Sequence, residues 1–418
     1  MRDASSDDMT FDIPIITSYI YFFITSHTYG WGLLHDLRFI TLSIAGIFVY
    51  MMTVFFKEST RYKMRLILVL IFIFFAVFGT TVSAMTLRNK TSSYAFVSDS
   101  ALQLEIAGRY LLLGKNPYKE NFINTDLAKW EYKDSLGNTD NPALYHLLYP
   151  PFLVYISAIG YRVFSQVFGF FDIRIFYLAA FSSIVLLPFI KYQKQIPRLL
   201  FLVFVAVQPL FLSTVISGYT DVVVLAFLLW GVYFFEKKKL TLSAVLIGIA
   251  FATKQTAWFI FPIIFIYLWK KQRASLGRFI GISSVIALFL YSPFLLWDAR
   301  AFIDSIFLSL GGSGLRMMPI SGYGLGMLLV ALGKIPNIYS PYPFWMWQLG
   351  GSTIVCAMLL HQKKSWWTTR NLLLSYTLFL SVVWFCSRFF TITHLSYLAA
   401  LFGATWSWDG EENSRIGR

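Results

Sequence analysis

Few residues of this chain are equipped for chemistry, and most of those that are stand at the ends of long apolar runs. Asp99 opens a stretch with helical spacing. Asp221 follows Gly218, Tyr219 and Thr220 at the mouth of another run, and Lys254 lies between Ala252, Thr253 and Gln255 where two short apolar segments meet. Asp298, Arg300 and Asp304 follow a third run, and Arg316, Arg388 and His394 complete the set. An ionisable group in lipid is costly, so each must reach water or face a polar cavity. For any one of them the solvated position is the ordinary outcome. Lys254 is the exception, because its short flanking spans leave little stem length for escape, and a cavity containing an anion would account for it.

Together these residues suit transfer from a phosphate leaving group. A carboxylate beside an apolar wall is a stronger base than in water, so Asp99 can take the proton of an acceptor hydroxyl as the hydroxyl attacks. The departing phosphate needs cations rather than a proton, which is work for Lys254, Arg316 or Arg388. A single direct displacement inverts the reacting carbon. No Walker-type loop, zinc-ligand spacing or nucleophile elbow is present, and no metal site or cofactor is expected. Gly311, Gly312 and Gly314, and Gly322, Gly324 and Gly326, read as turns or helix packing points rather than dinucleotide loops.

The elements that must hold these groups are membrane helices. Of 418 residues 57% are hydrophobic and only 13% charged, about half the charged fraction of a soluble domain. Blocks long enough to cross hydrocarbon occur at 39–56, 65–86, 173–190, 199–216, 219–235, 276–297, 341–360, 370–387 and 391–407. Those at 13–26, 146–168 and 322–333 are shorter or interrupted, and 240–269 reads as a tight hairpin broken near Lys254. Cys356 and Cys386 both lie in apolar runs, which excludes a secreted disulfide scaffold. The first apolar block follows Asp7, Asp8 and Asp12 and contains Pro14, so no cleavable signal peptide is expected.

The net charge of +14 has a location. Segments 57–65, 191–198, 236–239, 270–278 and 361–370 carry +15 between them and are expected on the cytoplasmic side. Dispersed in this way the positive charge does not make a nucleic-acid surface, and no nucleic-acid partner is expected. The polar segment 87–145 holds seven basic and seven acidic residues and is expected outside. Between 87–145 and 191–198 the number of crossings must be odd, yet two apolar blocks intervene. The favoured resolution is that the block opening at Pro150 and Pro151 lies at the interface or re-enters. Within the external segment, Leu102, Ile106, Tyr110 and Leu113 share one helical face, with Gln103 and Arg109 off it. That pattern predicts a short amphipathic helix along the membrane surface, ended by Gly114 and Asn116–Pro117. Ser100 with Gln103 reads as a capping box, which leaves Asp99 free for other work.

An external site has no access to cytoplasmic nucleotide sugars, so a sugar transferred there would ride on a lipid carrier such as a polyprenyl phosphate. The runs SDSALQLEIAGRYLLLGKNPY (98–118), YPPF (149–152), SGYTDVVVLAFLL (217–229), LTLSAVLIGIAFATKQ (240–255), FPIIF (261–265) and SPFLLWDARAF (292–302) resemble, in order and spacing, the polytopic GT-C glycosyltransferases. They are most similar to prokaryotic polyprenol-phosphate-mannose-dependent alpha-mannosyltransferases, over about 65–305. The resemblance implies an all-α bundle of about 11–13 transmembrane helices whose large first external loop carries an interfacial helix. It divides the chain into an added membrane hairpin (1–64), a catalytic membrane module (65–297) and a C-terminal membrane module (298–418). It also implies that Asp99 is the catalytic base and that Lys254 and Asp221 face one external cavity. Tyr149, Arg316, Arg388 and His394 are taken as further substrate-binding candidates. Members often carry two acids one residue apart in the first loop, whereas Asp99 is followed here by Ser100 and Ala101.

The expected enzyme moves a hexose, most readily mannose, from a polyprenyl-phosphate carrier to a lipid, glycan or protein hydroxyl on the external face of the cell membrane. Two other readings stay open. A polytopic transporter or flippase would also place charges in broken helices, though with internal repeats that are not evident here. A non-catalytic assembly subunit would tolerate loss of Asp99.

Overall fold

The computed structural model describes residues 15–17, 20, 37–134, 136–312 and 317–408. Arg316, the apolar block 13–26 except for Ile15, Ile16, Thr17 and Ile20, and half of the expected N-terminal hairpin (1–64) lie outside the described residues. The protein is an all-α polytopic membrane protein. Its helices are α1 (Leu37–Met52), α2 (Glu58–Lys90), α3 (Asp99–Leu112), α4 (Phe152–Phe168), α5 (Arg174–Lys191), α6 (Gln195–Ala206), α7 (Pro209–Ser217), α8 (Asp221–Glu236), α9 (Leu240–Phe251), α10 (Phe261–Lys271), α11 (Arg273–Gly311), α12 (Leu325–Ala331), α13 (Phe344–Leu360), α14 (Thr369–Phe385) and α15 (Ile392–Ser407). Among the described residues the strands are β1 (Ser321–Gly322) and β2 (Phe389–Phe390), a parallel pair. Gly322 permits that pairing, since a Cβ there would collide with the Phe390 carbonyl oxygen.

By length and apolarity α2, α5 and α11 can each cross a membrane, and α6 with α7 makes a further span bent by 59°. Pro209 opens the second half of that bend, where its missing N–H costs nothing. The 11–13 spans expected from the sequence would need apolar helices of 10–17 residues, such as α9 and α13, which are below the usual spanning length.

Side-chain bonds sort the helix ends onto two faces. Lys191 donates to both carboxylate oxygens of Glu236 at 2.9 and 2.7 Å, and Trp408 Nε1 donates to the same carboxylate at 2.8 Å. Arg278 bonds Thr241, Arg370 bonds the Thr405 carbonyl, and the Tyr192 hydroxyl bonds the Ser407 carbonyl. Four of the five basic segments thus meet on one face, and α2 brings the fifth against α6. At about 1.5 Å per residue, α8 carries the chain some 24 Å from Glu236 to Asp221 at the other face. That second face bears the 91–151 loop.

The surplus crossing is resolved by α4. Its first residue, Phe152, donates its N–H to the Ala252 carbonyl at the loop-face end of α9. Four residues beyond its last, Asp172 bonds Arg88 at the loop-face end of α2. Both ends of α4 are therefore on one face, and α5 makes the single crossing to the basic segment 191–198. Exposed Ile159, Val163, Val167 and Phe168 leave an apolar stripe on α4 with no protein against it, the mark of a helix lying in an interface. The amphipathic helix expected over 98–113 forms as α3, but it does not lie on the membrane surface. Every residue from Ser100 to Gly108 is buried, because α4 covers one side. Gly108 makes that approach possible, as a Cβ there would sit 2.6 Å from the Ser157 Cβ.

This topology predicts the outcome of cysteine labelling. In a Cys356→Ser, Cys386→Ser background, Gln166→Cys and Lys119→Cys should react with a membrane-impermeant maleimide from the same side of oriented vesicles. Lys194→Cys should react only from the other side. Labelling of position 166 together with 194 would mean that α4 crosses.

Candidate active site

The site is hung from a buried cluster of charges. Arg88 donates to Glu105 at 2.7 and 2.9 Å and to Asp172 at 2.8 Å, and Arg174 donates to both oxygens of Asp172 at 2.9 and 2.7 Å. Glu105 also accepts the Ile173 N–H at 2.9 Å. These four residues join the end of α2, the middle of α3 and the start of α5. Arg174 extends the arrangement, donating to the Phe96 carbonyl at 2.7 Å and the Ile216 carbonyl at 3.3 Å. Its stem crosses Gly218, whose φ of +88° and absent side chain suit the position: a Cβ would meet Arg174 Cγ at 2.9 Å. Ser98 then ties the two strands of chain together, donating its N–H to the Ser217 carbonyl and its hydroxyl to the Gly218 carbonyl. One residue after Ser98 comes Asp99, and three after Gly218 comes Asp221.

Asp99 is the first residue of α3. The cap is Ser98, whose Oγ accepts the Ala101 N–H at 3.2 Å. The capping box read at Ser100 and Gln103 does not form. Gln103 instead donates to the Ala143 and His146 carbonyls at 2.5 and 2.8 Å and holds the loop before Tyr149. Asp99 is thus released from capping by its neighbour, and one carboxylate oxygen accepts the Ser100 N–H at 2.7 Å. Burial of the group raises its carboxyl above the usual carboxylate value, against the lowering by that bond.

Asp99, Tyr149, Lys254 and His394 line one cavity of about 610 Å³ on the loop face. Its walls come from both halves of the chain: Ser100, Gln103, Trp130, Tyr132 and Asn141 on one side, Met318, Ser321, Trp384, Phe389 and Thr391 on the other. Lys254 sits where the 240–269 stretch breaks between α9 and α10, as expected, and it has an anion: its ammonium bonds both oxygens of Asp221, at 2.9 and 2.8 Å. Asp221 is buried at the start of α8. Burial raises the Tyr149 hydroxyl well above the usual phenol value, with the Asp99 carboxylate next in effect. The Thr391 N–H donates to His394 Nδ1, which assigns the ring proton of the neutral form to Nε2.

Other candidates stand elsewhere. Arg388 is buried outside the cavity wall and donates to the carbonyls of Met318, Ile338 and Ser340, so it fastens the 318–340 segment. Asp298 interrupts α11 with extended backbone and caps its continuation by accepting the Ala301 N–H at 3.0 Å. The expected glycine packing points include Gly324, against the Phe385 carbonyl. Sequence reading missed Glu105, Asp172 and Arg174, and also the aromatic wall of Trp130, Tyr132 and Trp384. Among the described residues no group of three or more His, Cys, Asp or Glu is placed to hold a metal ion.

Residues 106–270 match the family model described as Alpha-(1->6)-mannopyranosyltransferase, N-terminal domain. The chain is a mannosyltransferase-type glycosyltransferase. The match covers less than half of it and lies inside the 65–305 stretch, where it bears out the resemblance to prokaryotic GT-C alpha-mannosyltransferases. No curated protein and no solved structure is significantly similar to the chain. The matched segment of this mannosyltransferase includes Tyr149, Asp221 and Lys254, and it begins seven residues after Asp99.

Breaking the charge cluster is expected to destabilise the mannosyltransferase strongly. Asp172→Ala leaves two buried guanidinium groups short of a partner, a class of change that costs about 3–5 kcal/mol. Thermal unfolding in detergent should show a large drop for Asp172→Ala and a small one for Asp126→Ala, which breaks an exposed pair with Lys129.

Proposed function

We propose that this enzyme moves a hexose, mannose in the first instance, from a polyprenyl-phosphate carrier to an acceptor hydroxyl at the extracytoplasmic face of the cell membrane, with Asp99 as general base. The observation that carries the reading is the shared cavity: a half-buried carboxylate with a raised proton affinity faces the same space as a lysine able to meet a phosphate. The loop face opposite the basic segments is the extracytoplasmic one by the distribution of positive charge.

A lipid-borne donor is supported by a second feature. A groove of about 600 Å³ runs between α4, α5, α8 and α9, lined by Phe152, Ile156, Val223, Phe227, Trp230 and Phe234 among other apolar side chains. Its upper end, at Phe152 and Val223, is adjacent in sequence to Tyr149 and Asp221 of the site. A hydrocarbon chain lying there would leave its phosphate beside Lys254.

In the step proposed, the acceptor oxygen attacks the anomeric carbon as its proton passes to Asp99. The bond from that carbon to the phosphate oxygen breaks, and the carrier leaves as polyprenyl phosphate with the bonding electrons. The configuration inverts, so the alpha-(1->6) bond named for the matching family would require a beta-linked donor. A charge develops on the leaving phosphate, and Lys254 meets it by exchanging Asp221 for the phosphate oxygens. Lipid, glycan and protein acceptors all offer the required hydroxyl.

Three measurements test this. Asp99→Asn should abolish transfer while retaining binding of a polyprenyl-phosphate donor, and near-normal turnover would remove Asp99 as the base. Since the base must be ionised, activity should fall as pH drops through the raised Asp99 value. The acidic limb should therefore lie above the ordinary value of about 3.9. Lys254→Gln should weaken donor binding, whereas Asp221→Asn, which frees the lysine, should strengthen it. Equal affinities in the two variants would separate Lys254 from the phosphate.

A further inference from the structure

The charges around the cavity do not suit an anionic donor unless one more cation takes part. Lys254 is neutralised by Asp221, and Arg388 is turned to backbone carbonyls outside the wall. Asp99 and Glu131 add carboxylates to the lining. Among the described residues one other cation lines this space. It is Lys133, which is exposed and has no ion-pair partner among them.

Its place is set by a fastening between the two halves of the chain. Asp134, next in sequence, accepts the N–H groups of Leu136 and Asn138 at 2.8 and 2.9 Å, closing a tight turn. Its other oxygen accepts the hydroxyl of Tyr339, far along the chain, and the Asn138 amide at 3.0 Å. Asn138 also donates to the Tyr339 oxygen at 3.3 Å. At the other end of the segment Trp130 is pinned by its Nε1 to the Val97 carbonyl at 2.9 Å, two residues before Asp99. Residues 130–134 are therefore held at both ends across the cavity mouth.

We infer that Lys133 is a phosphate-binding residue of the donor site, carried on a strap that the Asp134–Tyr339 contact holds over the cavity. This rests on the lipid-phosphate donor reading above and adds a residue to it. Lys133 meets the phosphate from the loop side while Lys254 meets it from the membrane side. Tyr339 does not line the cavity and acts as a positioning residue through Asp134. The fastening is solvent-exposed, and exposed polar contacts of this kind hold weakly. The strap can therefore release product without unfolding anything beneath it.

The test uses the full chain in nanodiscs and two probes, a short-chain isoprenyl monophosphate and the matching neutral alcohol. Wild type should bind the phosphate and not the alcohol. Lys133→Gln should weaken phosphate binding about tenfold, as expected for loss of a charged contact. Lys133→Arg should keep most of the affinity, and the difference should shrink at high salt. With polyprenyl-phospho-mannose as donor, Tyr339→Phe should raise KM more than it lowers kcat. If Lys133→Gln binds the phosphate as wild type does, the lysine has no such role, although the donor reading survives. If wild type prefers neither probe, the lipid-phosphate donor fails and the Lys133 assignment falls with it.

Discussion

Everything on the loop face depends on four buried charges. Arg88, Glu105, Asp172 and Arg174 stand at the junction of three helices and a loop, and each is committed to partners contributed by a different part of the chain. Two cations against two anions make the group neutral, and the backbone groups of Ser93, Phe96, Ile173 and Ile216 take up remaining hydrogen-bonding capacity. Such a group gives little net stability compared with apolar packing, but it penalises any arrangement that leaves one member alone. Its consequence is positional. Arg174 reaches both the loop before Asp99 and the turn before Asp221, so the two carboxylates are placed by a single side chain.

The second organising contact is the Lys254–Asp221 pair. A lysine at a break between short apolar helices needs a counter-charge, and Asp221 supplies one from the start of α8. An ammonium held by a carboxylate is ready for another anion without the cost of being buried alone. The same pairing explains why a polar break can persist in this part of the bundle. It fixes the α9–α10 corner against α8, and Gln255 adds bonds to the Leu148 and Ile306 carbonyls.

Much of the architecture was legible because it is written locally. Apolar runs, basic segments and the stop at Gly114 each depend on neighbours in sequence. The crossing parity shows that either the Pro150–Pro151 block or one basic segment is out of place, and α4 lies as the favoured reading has it. What was not legible lies in pairings across long separations. Arg88 and Asp172 are 84 positions apart, and in sequence each looks like a solvated residue at a span end. Lys254 could be seen to need an anion, but not which one. The capping motif was misplaced by two residues because Ser98 and Ser100 are chemically equal, and only the backbone decides that Ser98 caps. Arg388 and Lys254 are likewise both cations near span ends, and sequence does not say that one faces carbonyls and the other a cavity.

The knot of Lys191, Glu236 and Trp408 on the basic face bears on how the molecule can move. Trp408 closes the last helix onto α5 and α8, with the Lys191 ammonium 4.4 Å from its ring centroid and the Glu236 carboxylate shared between them. Tyr192 fastens Ser407 alongside. Helices α5, α8 and α15 are thereby hooped together on that side, while on the other the 130–134 strap and the Tyr339 loop are joined by an exposed contact. Rocking of these helices against one another, the motion of an alternating-access carrier, would have to break that knot.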